Sequence, residues 1–166
     1  MFGLTRIRIV EIGVALVLTL AALLFVGLTV WAAELTRIEV ADAWARPTGA
    51  DGNAGAAYMI IANKGKSDDL LKSARTSRAK SVELQQATMT VDGVKTMRRV
   101  EHGLPVEAGA SLVLKPGEAR FMLVGLEDAL EAGEQLVITL EFAKAGVMDV
   151  VVPVSEAAPA TASAQP

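Results

Sequence analysis

The chain from Thr36 to Val154 predicts an all-β fold, a sandwich or barrel of Greek-key type. Three observations carry that prediction. Apolar residues come in short runs, turn chemistry interrupts them about every ten residues, and no stretch after residue 33 keeps helical periodicity over three turns.

The elements follow in order. Ile38, Val40 and Trp44 belong to a first extended segment that stops at Arg46-Pro47. A loop rich in Gly and Asn (Gly49 to Gly55) leads into Ala57-Tyr58-Met59-Ile60-Ile61, an apolar run of strand length that ends at Asn63-Lys64-Gly65. Leu70 to Ala74 and Ser81 to Leu84 are the next candidate strands. Asp92-Gly93, between Met89-Thr90-Val91 and Val94, is a hairpin signal. Ala108-Gly109, Lys115-Pro116-Gly117, Ala132-Gly133 and Ala145-Gly146 mark later turns. Between them lie Leu112-Val113-Leu114, Phe121-Met122-Leu123, Leu136 to Phe142 and Met148 to Val154. The total is about eight or nine strands, with no internal repeat.

Composition sets the flanks. The chain is 52% hydrophobic but only 4% aromatic, and the excess is local: Ile12 to Ala33 is 22 residues without a charge. As a helix this run would extend roughly 33 Å, enough to cover a bilayer's hydrocarbon core. Two readings of residues 1–33 fit. One is a signal peptide cleaved near Ala32 or Ala33, where Val30-Trp31-Ala32 supplies small or moderate residues; the other is a retained membrane anchor. With Arg6 and Arg8 kept cytoplasmic, both deliver residues 34–154 to the far side of the membrane, so the expected location is periplasmic, secreted or tethered to the inner membrane. Residues 155–166 lack large apolar side chains and read as a disordered tail.

Several chemistries are excluded or unsupported. With no cysteine there are no disulfides, thiol nucleophiles or thiolate metal sites, and with one histidine, His102, there is no multi-histidine centre within one chain. A net charge of −3 gives nucleic-acid binding no electrostatic support. None of the serines lies in a Gly-x-Ser-x-Gly turn. Asp68-Asp69 and Glu127-Asp128 read as solvated turns, and Asp51-Gly52-Asn53 offers too few oxygens for calcium. The expectation is a protein that is not an enzyme.

Motifs from Ile38 to Val154 resemble the periplasmic copper chaperones called PCu(A)C. They are Asp42-Ala43-Trp44-Ala45-Arg46-Pro47, Gly55-Ala56-Ala57-Tyr58, Ile61-Ala62-Asn63-Lys64-Gly65, Val82-Glu83-Leu84, Met97-Arg98-Arg99-Val100, Leu114-Lys115-Pro116-Gly117 and Met122-Leu123-Val124-Gly125-Leu126. Each is weak alone; their order and spacing are specific. The resemblance implies a cupredoxin-like Greek-key β-sandwich that carries Cu(I) towards a copper-accepting protein of cytochrome c oxidase assembly. It also implies a metal site of two histidines and two methionines. The matching positions here are Gln85, Met97, Arg120 and Met122, so both methionines are present and both histidines are replaced.

Cu(I) is soft and accepts thioether sulfur and imidazole nitrogen. Gln offers a hard amide oxygen, and Arg offers no lone pair and a permanent positive charge. A guanidinium 4 Å from a cation is repelled by about 4 kcal/mol at an effective dielectric of 20. Met89 is the candidate third thioether, and the Asp92-Gly93 turn decides its use. A two-residue turn puts Val91 opposite Val94, with Met89 and Met97 on opposite faces. A three-residue loop puts Thr90 opposite Val94, with Gln85, Met89 and Met97 on one face. In the second register Met89, Met97 and Met122 would form a three-thioether Cu(I) site if the Met122 strand lay alongside. The competing use of methionine is gap filling, which is the reading for Met59 and Met148. His102, in Glu101-His102-Gly103-Leu104-Pro105, reads as a solvated loop residue.

Three functional classes stand at this point. The first is a divergent PCu(A)C chaperone that binds copper weakly through Met97, Met122 and Met89, or has lost it. The second is a copper-free exported β-sandwich that binds a protein or small ligand; separately, Arg98 and Arg99 beside Arg120 would make a positive patch that raises an anion-binding reading. The third, and least supported, is an enzyme.

Overall fold

In a computed structural model of the protein, residues 37–49 and 51–158 are described. The expectations for residues 1–33, and for 159–166 of the tail, lie outside them.

Apolar alternation builds the central strands. In β2 (Ala54–Asn63), Ala57, Met59 and Ile61 are buried on one side, as are Phe121 and Leu123 of β8 (Ala119–Leu126) and Leu84 of β4 (Ala79–Met89). β1 (Ile38–Thr48) pairs with β2, and β5 (Lys95–Arg99) closes the other edge. The first sheet therefore runs β1-β2-β8-β4-β5, with β7 (Ser111–Leu114) on the second half of β2. The second sheet is β10-β9-β3-β6: Val147–Pro153, Gln135–Phe142, Asp69–Arg75 and Leu104–Val106. Its Leu71, Ile138, Leu140 and Val152 face the first sheet's buried side chains and complete one core. That core lies wholly within the unit that begins at Thr36. The all-β sandwich expected from the sequence is the fold observed, built of two antiparallel sheets.

β1 departs from simple alternation. Asp42, with φ +50°, and Ala43 together oppose one residue of β2, so the register shifts between Ala41 and Trp44. This β-bulge reverses the faces of the strand. Ile38 and Val40 point into the core before it, whereas Ala45 does so after it. Trp44 is thereby turned to the outer side of the first sheet, where it packs on Tyr58 with ring centroids 4.7 Å apart and Arg46 over the tyrosine ring. Residues 155–158 follow on: the Ser155 N–H donates to Ala45 O at 2.8 Å, and Ala158 packs against Trp44 and Tyr58.

β6 is a strand where the sequence read as loop. Pro105 withholds a donor, but Val106 and Leu104 are buried and pair with Asp69 and Leu71 of β3. Fully buried Asn63 fixes this region. Its Nδ2 donates to Ser67 O at 2.8 Å and Val106 O at 2.9 Å, and its Oδ1 accepts from Gly65 N at 2.9 Å. Asp69, also buried, accepts from Leu70, Lys144 and Ala145 N–H groups, each at 2.8 Å. Gly103, at φ +78°, enters β6 so close to β3 that a Cβ there would lie 2.3 Å from Leu71 O.

Two stability predictions follow. Asn63→Ala removes the three hydrogen bonds made by a fully buried side chain and is expected to cost about 2–3 kcal/mol in urea unfolding; a cost below 0.5 kcal/mol, on the order of an ordinary surface change, contradicts the assigned role. Gly103→Ala combines a backbone collision with positive φ and is expected to lower the unfolding midpoint at unchanged m-value. An unaltered midpoint contradicts the close approach of β6 to β3.

Candidate metal site

The core side of β4 and β8 determines what their outer side presents. Leu84 opposes Phe121 and both are buried, so their neighbours Gln85 and Arg120 oppose each other on the outer face. On the other flank of β4, Gln85 opposes Arg99 and Ala87 opposes Met97. Glu83 opposes Met122. Gln85, Met97, Arg120 and Met122, the four positions singled out in the sequence, thus share the outer face of the first sheet.

The hairpin resolves the Met89 alternative. Thr90 N–H donates to Val94 O at 2.9 Å, and Gly93 N–H donates back to Thr90 O at 2.9 Å with Gly93 at φ +75°. The loop is therefore three residues, 91–93, and Met89 opposes Lys95. Met89 joins Gln85 and Met97 on the outer face. Met89 and Met97 are diagonal neighbours, with Cα atoms about 8 Å apart on ideal sheet spacings, close enough for two long thioether side chains to meet.

Met122 stands elsewhere. It is two strands across and four residues along from Met97 in register, which ideal spacings convert to about 16 Å between Cα atoms. Its sulfur turns further away, 4.0 Å from the Thr48 hydroxyl of β1. The structure brings Met97 next to Met89 and places Gln85 and Arg120 between Met97 and Met122.

Those two residues are joined to each other. Arg120 Nε donates to Gln85 Oε1 at 3.1 Å, Gln85 Nε2 donates to Glu83 Oε2 at 3.3 Å, and Arg99 donates to Glu83 Oε1 at 3.3 Å. The chain Arg120–Gln85–Glu83–Arg99 consumes the amide oxygen and leaves two guanidinium groups against one carboxylate. Its residual charge is positive, and none of its members is a soft donor. Among the described residues no group of three His, Cys, Asp or Glu side chains could hold a metal ion. The donors on this face suited to a soft cation are the thioethers. Met89 is exposed and Met97 half-buried, both accessible from solvent.

The remaining candidates divide as their surroundings dictate. Met59 is buried in the core and Met148 packs partly against it, both as gap fillers. His102 is exposed in the connection between β5 and β6. Among other basic residues, Lys72 pairs with Glu141 at 2.8 Å and Arg78 with Glu134 at 3.2 Å. The Lys72 and Ser73 hydrogen bonds hold the Glu141 carboxyl below its usual value. The Arg120–Gln85–Glu83–Arg99 chain was missed by sequence reasoning. Its signal was the i, i+2 spacing of Glu83 and Gln85, which becomes informative only once β5 and β8 are known to flank β4.

Comparison with known proteins agrees with this architecture. The family described as "Putative lipoprotein LpqE-like" matches residues 38–154. A protein of Leifsonia xyli subsp. xyli (strain CTCB07) named "Putative lipoprotein Lxx21020" is 34% identical over 119 residues, 72% of this chain and 70% of that protein. The solution structure of Cu(I)-loaded DR1885 from Deinococcus radiodurans is 28% identical, covering 74% of this chain and 78% of that one with a TM-score of 0.55. The copper-bound PCuAC domain from PmoF2 is 20% identical and covers 74% and 93%, with a TM-score of 0.59, a likeness of fold. None of the 166 residues is a cysteine, so a lipid carried on cysteine sulfur has no attachment point among them. With the matched region spanning both sheets of the sandwich, the chain belongs to the LpqE-like lipoprotein family, and its domain has the PCuAC fold with glutamine and arginine at the two positions read as histidine in the resemblance.

Proposed function

We propose that this protein is an exported, membrane-associated copper chaperone of divergent type, which holds Cu(I) weakly through methionine sulfur on the outer face of its first sheet. The observation that carries this reading is the shared face of Met89, Met97, Gln85, Arg120 and Met122 in a domain with the fold of copper-loaded proteins. Met97 and Met89 take the ion, because they are diagonal neighbours and accessible; Met122, turned to Thr48 beyond Arg120, is not part of that pair. Two neutral thioethers suit a soft monovalent cation but bind it less tightly than a set completed by imidazoles. The positive Arg120–Gln85–Glu83–Arg99 chain lowers affinity further. Weak, exposed coordination suits a carrier: the ion leaves by ligand exchange to a stronger site. The resemblance names the recipient as a copper-accepting protein of cytochrome c oxidase assembly, met on the outer side of the membrane.

The Arg120 to Gln85 hydrogen bond favours a second reading, in which the face has exchanged metal binding for recognition of a protein or small ligand without copper.

Competition between the exported unit (residues 34–166) and a chromophoric Cu(I) chelator separates the two. One Cu(I) per chain is expected, with Met97→Leu and Met89→Leu each weakening binding about tenfold or more, equivalent to about 1.4 kcal/mol, and Met122→Leu changing it little. No binding by the parent, or parent-like binding by Met97→Leu, sinks the copper reading in favour of the second. Replacing Gln85 and Arg120 together by His removes the central positive charge. It should raise Cu(I) affinity by at least about a hundredfold, 2.7 kcal/mol, and make it newly dependent on Met122, which flanks that pair from the side opposite Met97. Unchanged affinity in the double variant contradicts the placement of the site.

A further inference from the structure

The end of the β4–β5 hairpin carries apolar side chains that the core does not use. Met89, Val91 and Val94 are 67%, 105% and 57% exposed, three large hydrophobic residues within six positions of one turn. The other exposed valines, such as Val137 and Val151, stand on strand faces away from this turn. Immediately behind the tip, Lys95 and Arg98 are exposed, against one carboxylate, Asp92, in the loop, whereas Arg99, further back, is paired with Glu83 at 3.3 Å. This positive charge is local, since the chain as a whole is acidic.

The geometry points to the hairpin tip as a membrane-contact element, in which Val91 and Val94 enter the interfacial layer of a bilayer rich in anionic lipid while Lys95 and Arg98 lie against its headgroups. A bilayer interface accepts a convex apolar tip without shape complementarity, and each basic residue near an anionic leaflet adds attraction that salt screens. A protein partner fits less well: three side chains on a protruding turn fall far short of the roughly 800 Å² per partner of a stable interface. The inference does not rest on copper binding, and the residues that test it, Val91 and Val94, are not among the proposed ligands.

The absence of cysteine makes the test clean. Val91→Cys in the full chain is labelled with an environment-sensitive nitrobenzoxadiazole dye and reconstituted into vesicles of phosphatidylcholine alone or mixed with phosphatidylglycerol. Val94→Cys serves as a second tip position and Val137→Cys as the exposed control on the other sheet. Both tip labels are expected to shift to the blue and be quenched by spin-labelled lipid on the anionic vesicles. The response should be lost at high salt and in the Lys95→Glu, Arg98→Glu background, with the control label unchanged. Tip labels that stay in water on anionic vesicles overturn the proposal. So does an equal response at position 137, which would report general adsorption. A blue shift that grows with protein concentration in the absence of lipid also overturns it, by showing that the tip meets a second copy of the chain.

Discussion

The outer face of this protein is set by a contact on its inner one. Leu84 and Phe121 oppose each other in the core, and strand alternation then compels Gln85 and Arg120 to meet on the opposite side. A one-residue slip between β4 and β8 would expose Phe121 and bury the guanidinium, so the pairing is held by hydrophobic burial rather than by the hydrogen bond it creates. That register sets Met122 beside the pair, as the β4–β5 register sets Met97, so the two methionines lie on opposite diagonals of it and the identity of the pair becomes decisive for the metal site.

The chemistry of the pair differs from that of the two-histidine, two-methionine site the resemblance implies. Two imidazoles between two thioethers would bridge the gap that the backbone leaves between Met97 and Met122. Gln85 and Arg120 fill the same space with a hydrogen bond and extend it through Glu83 to Arg99. That chain ties its polar groups to one another, adds positive charge and supplies no soft donor. The thioethers nearest to each other are on the hairpin, where Met89 and Met97 are diagonal neighbours. The same hairpin ends in exposed valines and is backed by basic residues, so the proposed metal capture and the proposed membrane contact fall on neighbouring parts of one edge of the sheet.

Much of the fold was legible because it rests on local pattern. The run Ala57 to Ile61 declared a buried strand, and Asp92-Gly93 declared a hairpin. What could not be read depends on contacts distant in sequence or on single backbone angles. Asp92-Gly93 is compatible with two loop lengths that put Met89 on opposite faces, and the Thr90 to Val94 pairing decides between them. Ile38, Val40 and Trp44 look like one face of one strand, but Asp42 at φ +50° inserts a bulge and sends Trp44 to the other side. Leu104 to Val106 looked like loop because Pro105 interrupts it; burial of Val106 and its tie to Asn63 make it a strand. The positions of the candidate site were visible through motif order, whereas the hydrogen-bonded chain that occupies them required the register of three strands.

The central claim is that the first Cu(I) bound lodges at Met97 and Met89, with Arg120 and Gln85 separating it from Met122. The direct measurement is the ¹³C-methyl spectrum of the methionines during addition of one equivalent of Cu(I) to residues 34–166 under anaerobic, reducing conditions. The account predicts that the Met97 and Met89 ε-methyl signals move together while Met122 stays in place. Movement of Met97 and Met122 in step, with Met89 unaffected, would contradict it.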